Sequence, residues 1–175
     1  SASQADFGNV PLAVYKTAGT TLYFNKQIVC SGQFAVNSGN VASQPGLIHT
    51  FNSNLIIDSS DSASFTLSAS SASIYGSLTV QGTGSGSLFY LENGAKLVLA
   101  PSSGININSG GEFISDSPDS VISCINPGEY YAFNANSGSI INITGLTAEY
   151  LNSSGLNIAH GTVIYNNFMS SVTIR

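Results

Sequence analysis

The residues most able to perform hydrolysis are two close pairs of aspartates. Asp58 and Asp61 lie in "DSSD", and Asp116 and Asp119 lie in "DSPD". A glycoside hydrolase needs two carboxyl groups that flank the scissile bond, about 5 to 10 Å apart. Both pairs lie in serine-rich segments, where aspartate side chains commonly accept hydrogen bonds from nearby backbone N–H groups. We interpret them as turn-forming residues, with a weak calcium contact and catalysis as the alternatives.

The cysteines and histidines form no pattern that is typical of a metal site. A zinc site needs about four ligands at short spacings, whereas Cys30, His49, Cys124 and His160 are far apart in the sequence. Cys124 has apolar neighbours in a strand pattern, which favours a buried or bridged thiol over a nucleophile. The sequence allows two interpretations of Cys30 and Cys124. They are either two buried thiols or one long-range disulfide, and a disulfide would be typical of an oxidising compartment. The glycine-rich segment 81–87 lacks the lysine of a phosphate loop, and we predict no metal or cofactor.

Composition excludes several classes of partner. Only 7% of the 175 residues are charged, with four basic and nine acidic residues. Nucleic-acid binding needs clustered lysine and arginine, and the only arginine is Arg175. Lyase chemistry would also need basic residues near the substrate, and four scattered ones form no cluster. The apolar runs are far shorter than the ~20 residues of a membrane-spanning helix. We therefore predict no enzyme activity, no nucleic-acid binding and no membrane insertion.

Several features predict an extracellular location at a cell surface or cell wall. Lysine is rare, and serine, asparagine and threonine are abundant. Two N-glycosylation sequons occur, "NIT" at Asn142 and "NSS" at Asn152. Both asparagines are therefore candidate glycosylation sites.

A repeated strand pattern predicts the fold. A glycine, one further residue and then alternating apolar residues recur, as in "GSLTV" at Gly76, "GAKLVL" at Gly94 and "GEFIS" at Gly111. Such alternation is typical of strands with one buried face. The glycines recur after 17 or 18 residues, which predicts a right-handed parallel β-helix of roughly eight coils, each about 18 residues long. A β-sandwich is the alternative. Within 93–115 we expect four side chains to point inward, namely Leu97, Leu99, Ile105 and Ile107.

The pattern covers the chain as one domain with two less regular parts. We predict a single β-solenoid domain over 1–175. Residues 1–17 are expected to form an irregular N-terminal segment or cap. Residues 115–133, which contain Pro118 and Pro127, are expected to form an irregular excursion from the coils.

The run "GSLTVQGTGSGSLFYLENGAKLVLAPSSGININSGGEFIS", residues 76–115, resembles the parallel β-helix coils of secreted surface proteins. It is most similar to the N-terminal domains of fungal cell-wall adhesins of the hyphally regulated type. That resemblance implies attachment, wall architecture or host contact.

These observations lead to one functional hypothesis and one alternative. The first is a non-enzymatic extracellular structural protein, a filament or layer subunit or an adhesive wall domain, that forms homo-oligomers through open coil ends. The alternative is a carbohydrate-binding adhesin or tailspike-like module that contacts cell-surface glycans. Tyr130 and Tyr131 are its candidate contact residues, because they lie in an irregular segment where aromatic rings can remain exposed.

Overall fold

A computed structural model describes residues 4–83, 86–165 and 171–175. The described residues form strands and turns, with no helix long and apolar enough to cross a membrane. The strands, in chain order, are β1 (Gln4–Asp6), β2 (Leu12–Tyr15), β3 (Thr21–Phe24), β4 (Gln27–Cys30), β5 (Phe34–Ser43), β6 (Ile48–Phe51), β7 (Leu55–Ser59), β8 (Ala63–Ser68), β9 (Ser71–Ile74), β10 (Leu78–Gly82), β11 (Ser87–Glu92), β12 (Lys96–Leu99), β13 (Gly104–Ile107), β14 (Gly111–Cys124), β15 (Tyr131–Ala135), β16 (Ile140–Ala148), β17 (Leu151–Ile158), β18 (Val163–Ile164) and β19 (Ser171–Ile174).

The strands stack in parallel, which confirms the predicted β-solenoid and excludes the sandwich alternative. Except in the first and last described coils, each strand pairs with the strand one coil earlier and the strand one coil later, so that three columns of strands run along the molecule. The first column contains β2, β5, β7, β10, β13, β15 and β17. The long strands β5, β14 and β16 bend through a corner and each contribute to two columns.

The predicted coil length and coil number were wrong. The solenoid has about 7 turns, and equivalent residues are about 24 residues apart. Ser87 of β11, for example, pairs with Gly111 of β14. Gly94 and Gly111 therefore do not mark the same corner. Because a coil contains three strands and each strand can begin with a glycine, the 17- to 18-residue interval connects different corners of successive coils.

The core is formed by the inward side chains of all three columns. Leu97, Leu99, Ile105 and Ile107 are all fully buried, as their alternation predicted. Identical or similar residues stack on one another because residue i lies over its equivalent one coil later. Phe89 stacks on Phe65, with the ring centres 5.9 Å apart. The core is therefore one continuous apolar cylinder and not a set of separate clusters.

The two segments expected to be irregular contain strands. Residues 1–17 contribute β1 and β2, which pair with β4 and β5. Within 115–133, strand β14 continues to Cys124, with register shifts between Ser115 and Val121. The excursion is therefore a bulge in a long strand, and turns follow only after Cys124.

Gly111 is required by a close approach of two coils. A Cβ atom on this residue would lie 2.1 Å from the carbonyl oxygen of Val80. Gly104 begins the preceding strand, and a Cβ atom there would lie 3.4 Å from its nearest neighbour, the carbonyl oxygen of Ala132. Only the first of these two glycines is sterically obligatory.

We expect Gly111→Ala to lower the free energy of unfolding by about 2 kcal/mol, because two coils must separate to admit the methyl group. Gly104→Ala, the matched control, should change it by less than about 1 kcal/mol, since a methyl group there makes ordinary contacts. Urea denaturation followed by circular dichroism measures both values. Equal effects would show that the coils are spaced differently at Gly111.

Candidate functional site

A ladder of hydrogen-bonded polar side chains runs along the outer face of the first strand column. Gln81 Nε2 donates to Asp58 Oδ2 at 2.9 Å. Asn108 Nδ2 donates to Gln81 Oε1 at 2.9 Å, and Asn136 Nδ2 donates to Asn108 Oδ1 at 2.7 Å. Gln81 and Asn108 each use one donor and one acceptor in the ladder, and the ladder leaves the second N–H and the second lone pair of each amide unused. We call Asp58, Gln81, Asn108 and Asn136 the groove ladder.

A second amide ladder lies beside the first on the same strands. Asn134 Nδ2 donates to Asn106 Oδ1 at 3.0 Å, and Asn157 Nδ2 donates to Asn134 Oδ1 at 3.4 Å. Asn106 and Asn134 each precede a groove-ladder residue by two positions, so both ladders point to the same side of the sheet. We call Asn106, Asn134 and Asn157 the flat ladder.

Three members of the groove ladder, Asp58, Gln81 and Asn108, border a concavity. An open groove of about 570 Å³ is lined by Asp58, Gln81, Gly82, Thr83, Asn108, Ser109 and Gly110. Asp58 is the one charged residue in this lining. A Cβ atom on Gly110 would lie 2.0 Å from the carbonyl oxygen of Gly82, so the backbones of the two corners are in direct contact here. The groove thus combines backbone at the corners with aligned amide and carboxylate groups.

Residues of both aspartate pairs take part in hydrogen bonds, either within a turn or between coils. Asp58 belongs to the groove ladder, and the backbone N–H of Asp61 donates to Ser59 Oγ at 3.0 Å. Asp116 accepts a hydrogen bond from the hydroxyl of Tyr90. Burial and the neighbouring Asp116 carboxylate both raise the pKa of Tyr90. The turn interpretation therefore fits Asp61, whereas Asp58 and Asp116 lie on strands and bind across coils.

His49 forms a buried hydrogen-bond network with Ser43. The backbone N–H of Ile28 donates to His49 Nδ1 at 3.3 Å, and Ser43 Oγ lies 2.7 Å from His49 Nε2. Because Nδ1 accepts a hydrogen bond, the neutral ring carries its proton on Nε2 and donates it to Ser43 Oγ. The hydroxyl of Ser43 then donates to the carbonyl of Gln44 at 3.1 Å. All donors and acceptors in this network are satisfied.

This arrangement is the reverse of a nucleophilic serine–histidine pair. A histidine that activates serine must accept the hydroxyl proton, whereas His49 presents an N–H group to Ser43. Burial lowers the pKa of His49 to about 4. The network therefore stabilises one coil with a neutral imidazole. His160, the other histidine, is exposed in a turn.

The proposed disulfide between Cys30 and Cys124 is wrong. Both thiols are free and buried. They lie in one inward stack, separated by Phe51, Ile74 and Leu99. Four strand spacings amount to about 19 Å, whereas bridged cysteines have Cα atoms about 4.4 to 6.8 Å apart. Two buried thiols, the first interpretation, are confirmed, and burial raises the pKa of Cys30.

The two tyrosines predicted to contact glycans do not form a joint surface. Tyr130 is 55% exposed, but Tyr131 is only 1% exposed and begins β15 with its ring in the core. Adjacent residues of an extended chain point to opposite sides, which is why only one of the two rings is accessible. Burial raises the pKa of Tyr131, whose hydroxyl has no hydrogen-bond partner within the described ranges. Tyr131 is therefore a core residue.

The two sequon asparagines lie on strands and are partly exposed. Asn142 is in β16 and pairs with Ile114 of β14. Asn152 is in β17, and its Oδ1 accepts a hydrogen bond from the backbone N–H of Ser154 at 3.0 Å. Their glycosylation stays a prediction.

The apolar stacks remain partly uncovered in the first and last described coils. We define the lower coil face by Ala5, Leu12 and Leu22, which pack against the core from the first coil and are partly buried. We define the upper coil face by Leu156, Ile164 and Ile174, which belong to β17, β18 and β19. Ile174 is 52% exposed. Below this face lies a wholly apolar recess, whose lining includes Phe133, Leu156, Val172 and Ile174.

Fold and surface together define a parallel β-solenoid with an amide-rich outer face. No protein-family model, curated protein or solved structure matches the chain. Within the part of the chain that the structure describes, no group of three histidine, cysteine or acidic residues is placed to hold a metal ion. The resemblance to fungal adhesins therefore rests on the sequence of residues 76–115 alone. Of what it implied, the structure confirms the parallel β-solenoid.

Sequence reasoning missed both ladders and the Ser43–His49 network. A signal for the ladders exists, since "NIN" at Asn106 recurs as "NAN" at Asn134, 28 residues later. That interval is the length of one coil in this region. Because the glycine interval predicted coils of 17 to 18 residues, the longer repeat did not indicate stacked residues. Ser43 and His49 gave no local signal, because a corner of the coil separates them.

Proposed function

We propose that this protein is a non-enzymatic extracellular structural subunit of a cell surface or wall, which self-associates end to end through its coil faces. The observation that carries the proposal is the partly exposed apolar core at both coil faces. Three inward stacks begin and end with an apolar residue: Ala5 to Ile174, Leu12 to Leu156, and Leu22 to Ile164. A second copy placed on top would continue these stacks.

The backbone supports the same mode of association. Among the described residues, β17, β18 and β19 have no further strand on their upper edges, and β1, β2 and β3 have none on their lower edges. Parallel strands present different edges above and below, so an upper edge can pair with a lower edge of another copy. Such a head-to-tail contact does not close on itself, and repeated association produces a filament.

Other observations favour a structural role over an enzymatic one. His49 is neutral, buried and hydrogen-bonded on both ring nitrogens, and Cys30 and Cys124 are in the core. The low lysine content and the two sequons support the proposed extracellular location. Attachment or wall architecture is also the role implied by the resemblance to fungal cell-wall adhesins.

Association is tested by analytical ultracentrifugation over a range of protein concentrations. We expect the weight-average sedimentation coefficient of the wild type to rise through the micromolar range, with filaments visible by electron microscopy. Ile174→Lys should weaken association at least tenfold, because it places a charge where apolar groups would be buried.

The matched control is Ile48→Lys. Ile48 is 54% exposed, close to the 52% of Ile174, but it lies on the outer face of β6, away from both coil faces. This variant should associate like the wild type. A wild type that stays monomeric at high micromolar concentration, or equal effects of the two substitutions, would contradict end-to-end association.

A further inference from the structure

We propose that the groove beside the groove ladder is a binding site for a neutral oligosaccharide chain. The site consists of Asp58, Gln81 and Asn108, with Thr83 and Ser109 at the adjoining corners. This site is separate from both coil faces, so the inference goes beyond self-association.

The chemistry of the lining selects the class of ligand. Sugar hydroxyls both donate and accept hydrogen bonds. The N–H groups of Gln81 and Asn108 that the ladder does not use supply donors, and Asp58 supplies further acceptor positions. Thr83 and Ser109 add hydroxyl groups to the lining, and each hydroxyl can both donate and accept a hydrogen bond. These groups match a polyhydroxylated ligand better than an apolar one.

The charge of the groove disfavours acidic ligands. Asp58 is its one charged lining residue, and the chain has a net charge of −5 at neutral pH. An anionic polysaccharide would be repelled by that carboxylate and would find no basic side chain in the lining. A neutral glycan avoids this cost.

The spacing of the ladder provides preorganisation. Asp58, Gln81 and Asn108 belong to three successive coils, so their polar groups repeat at about 4.8 Å along the molecule. The ladder hydrogen bonds hold each amide in one orientation, which lowers the entropy that ligand binding must remove. A short oligosaccharide lying along the solenoid could therefore contact several coils at once. The lining contains no aromatic ring, so we expect weak affinity that depends on hydrogen bonds.

The flat ladder supplies a matched control. Asn108 is an inner member of the groove ladder and Asn134 is the central member of the flat ladder; each bonds to one amide above and one below. Asn108→Ala and Asn134→Ala therefore each remove two ladder hydrogen bonds and should lower stability to a similar extent. Only Asn108 lines the groove.

Saturation-transfer difference NMR tests the proposal, because it detects weak ligands whatever the size of the protein assembly. The probes are cellohexaose, laminarihexaose, chitohexaose and mannohexaose at millimolar concentration, with oligogalacturonate as the anionic comparison. We expect at least one neutral probe to bind, Asn108→Ala to weaken it at least tenfold and Asn134→Ala to leave it unchanged.

Three outcomes would overturn the inference: no signal from any neutral probe, binding of the anionic probe alone, or equal weakening by both substitutions. Equal weakening would show that the ladders act through stability. Circular dichroism of both variants confirms that they are folded. Loss of binding with intact concentration-dependent sedimentation would leave the end-to-end proposal standing.

Discussion

Replacing Phe89 by alanine is expected to lower the free energy of unfolding by about 4 kcal/mol, within the range for buried aromatic residues. Phe89 is fully buried and lies between Phe65 and Phe113, with ring centres 5.9 Å away on each side. The substitution leaves a cavity in the centre of the apolar cylinder. The neighbouring coils cannot collapse into it, because their backbone ladders fix the spacing of the strands.

Leu88→Ala is the matched control for Phe89→Ala. Leu88 is the preceding residue of β11 and points to the outer face, where it is only partly buried. Its substitution should lower the free energy of unfolding by less than about 1 kcal/mol. Urea denaturation of both variants measures the difference. A larger effect at Leu88 than at Phe89 would reverse the assignment of inner and outer faces in β11.

Acidification is expected to lower the free energy of unfolding by about 3 kcal/mol through His49 alone, which is the free-energy equivalent of the shift in its pKa. Its pKa is about 4 in the folded protein, against 6.5 for an unperturbed histidine, because burial disfavours the charged ring. As the pH falls, the unfolded chain therefore binds a proton first. The stability is fully present above pH 6.5 and is lost progressively as the pH falls from 6.5 to about 4.

His49→Gln isolates this contribution. A glutamine amide can accept from the backbone N–H of Ile28 and donate to Ser43, as the neutral imidazole does, but it does not titrate. The measurement is the free energy of unfolding in urea at about pH 7.5 and about pH 4 for both proteins. Burial raises the pKa of Glu112, which acts in the opposite direction, but this effect is common to both and cancels in their difference. An equal pH dependence in wild type and variant would contradict a buried neutral His49.

Strand identity and the direction of side chains could be predicted from the sequence. In a strand, successive side chains point to opposite faces, so a period of two is written directly into neighbouring residues. Leu97, Leu99, Ile105 and Ile107 were assigned inward on this basis alone, and all four are fully buried. The repetition of such strands with glycine at their starts was also sufficient to indicate a solenoid.

The length of a coil could not be predicted in this way. Coil length depends on how many strands complete one turn, and three similar strands with similar glycines do not reveal which of them lie above one another. The register of Ser87 on Gly111 is determined by long-range backbone hydrogen bonds and by stacking of Phe65, Phe89 and Phe113. That information lies in contacts between residues about 24 positions apart.

The same contrast between local pattern and contacts between coils applies to the site residues. The sequence by itself determined the all-β solenoid, its inward residues and the low, acidic charge of its surface, because these follow from local alternation and composition. Only the tertiary structure decided that Tyr131 is buried, that Cys30 and Cys124 are four coil steps apart, and that a polar ladder borders a groove. The physical reason is register: a shift in coil length by a few residues changes every neighbour between coils while it leaves each strand intact.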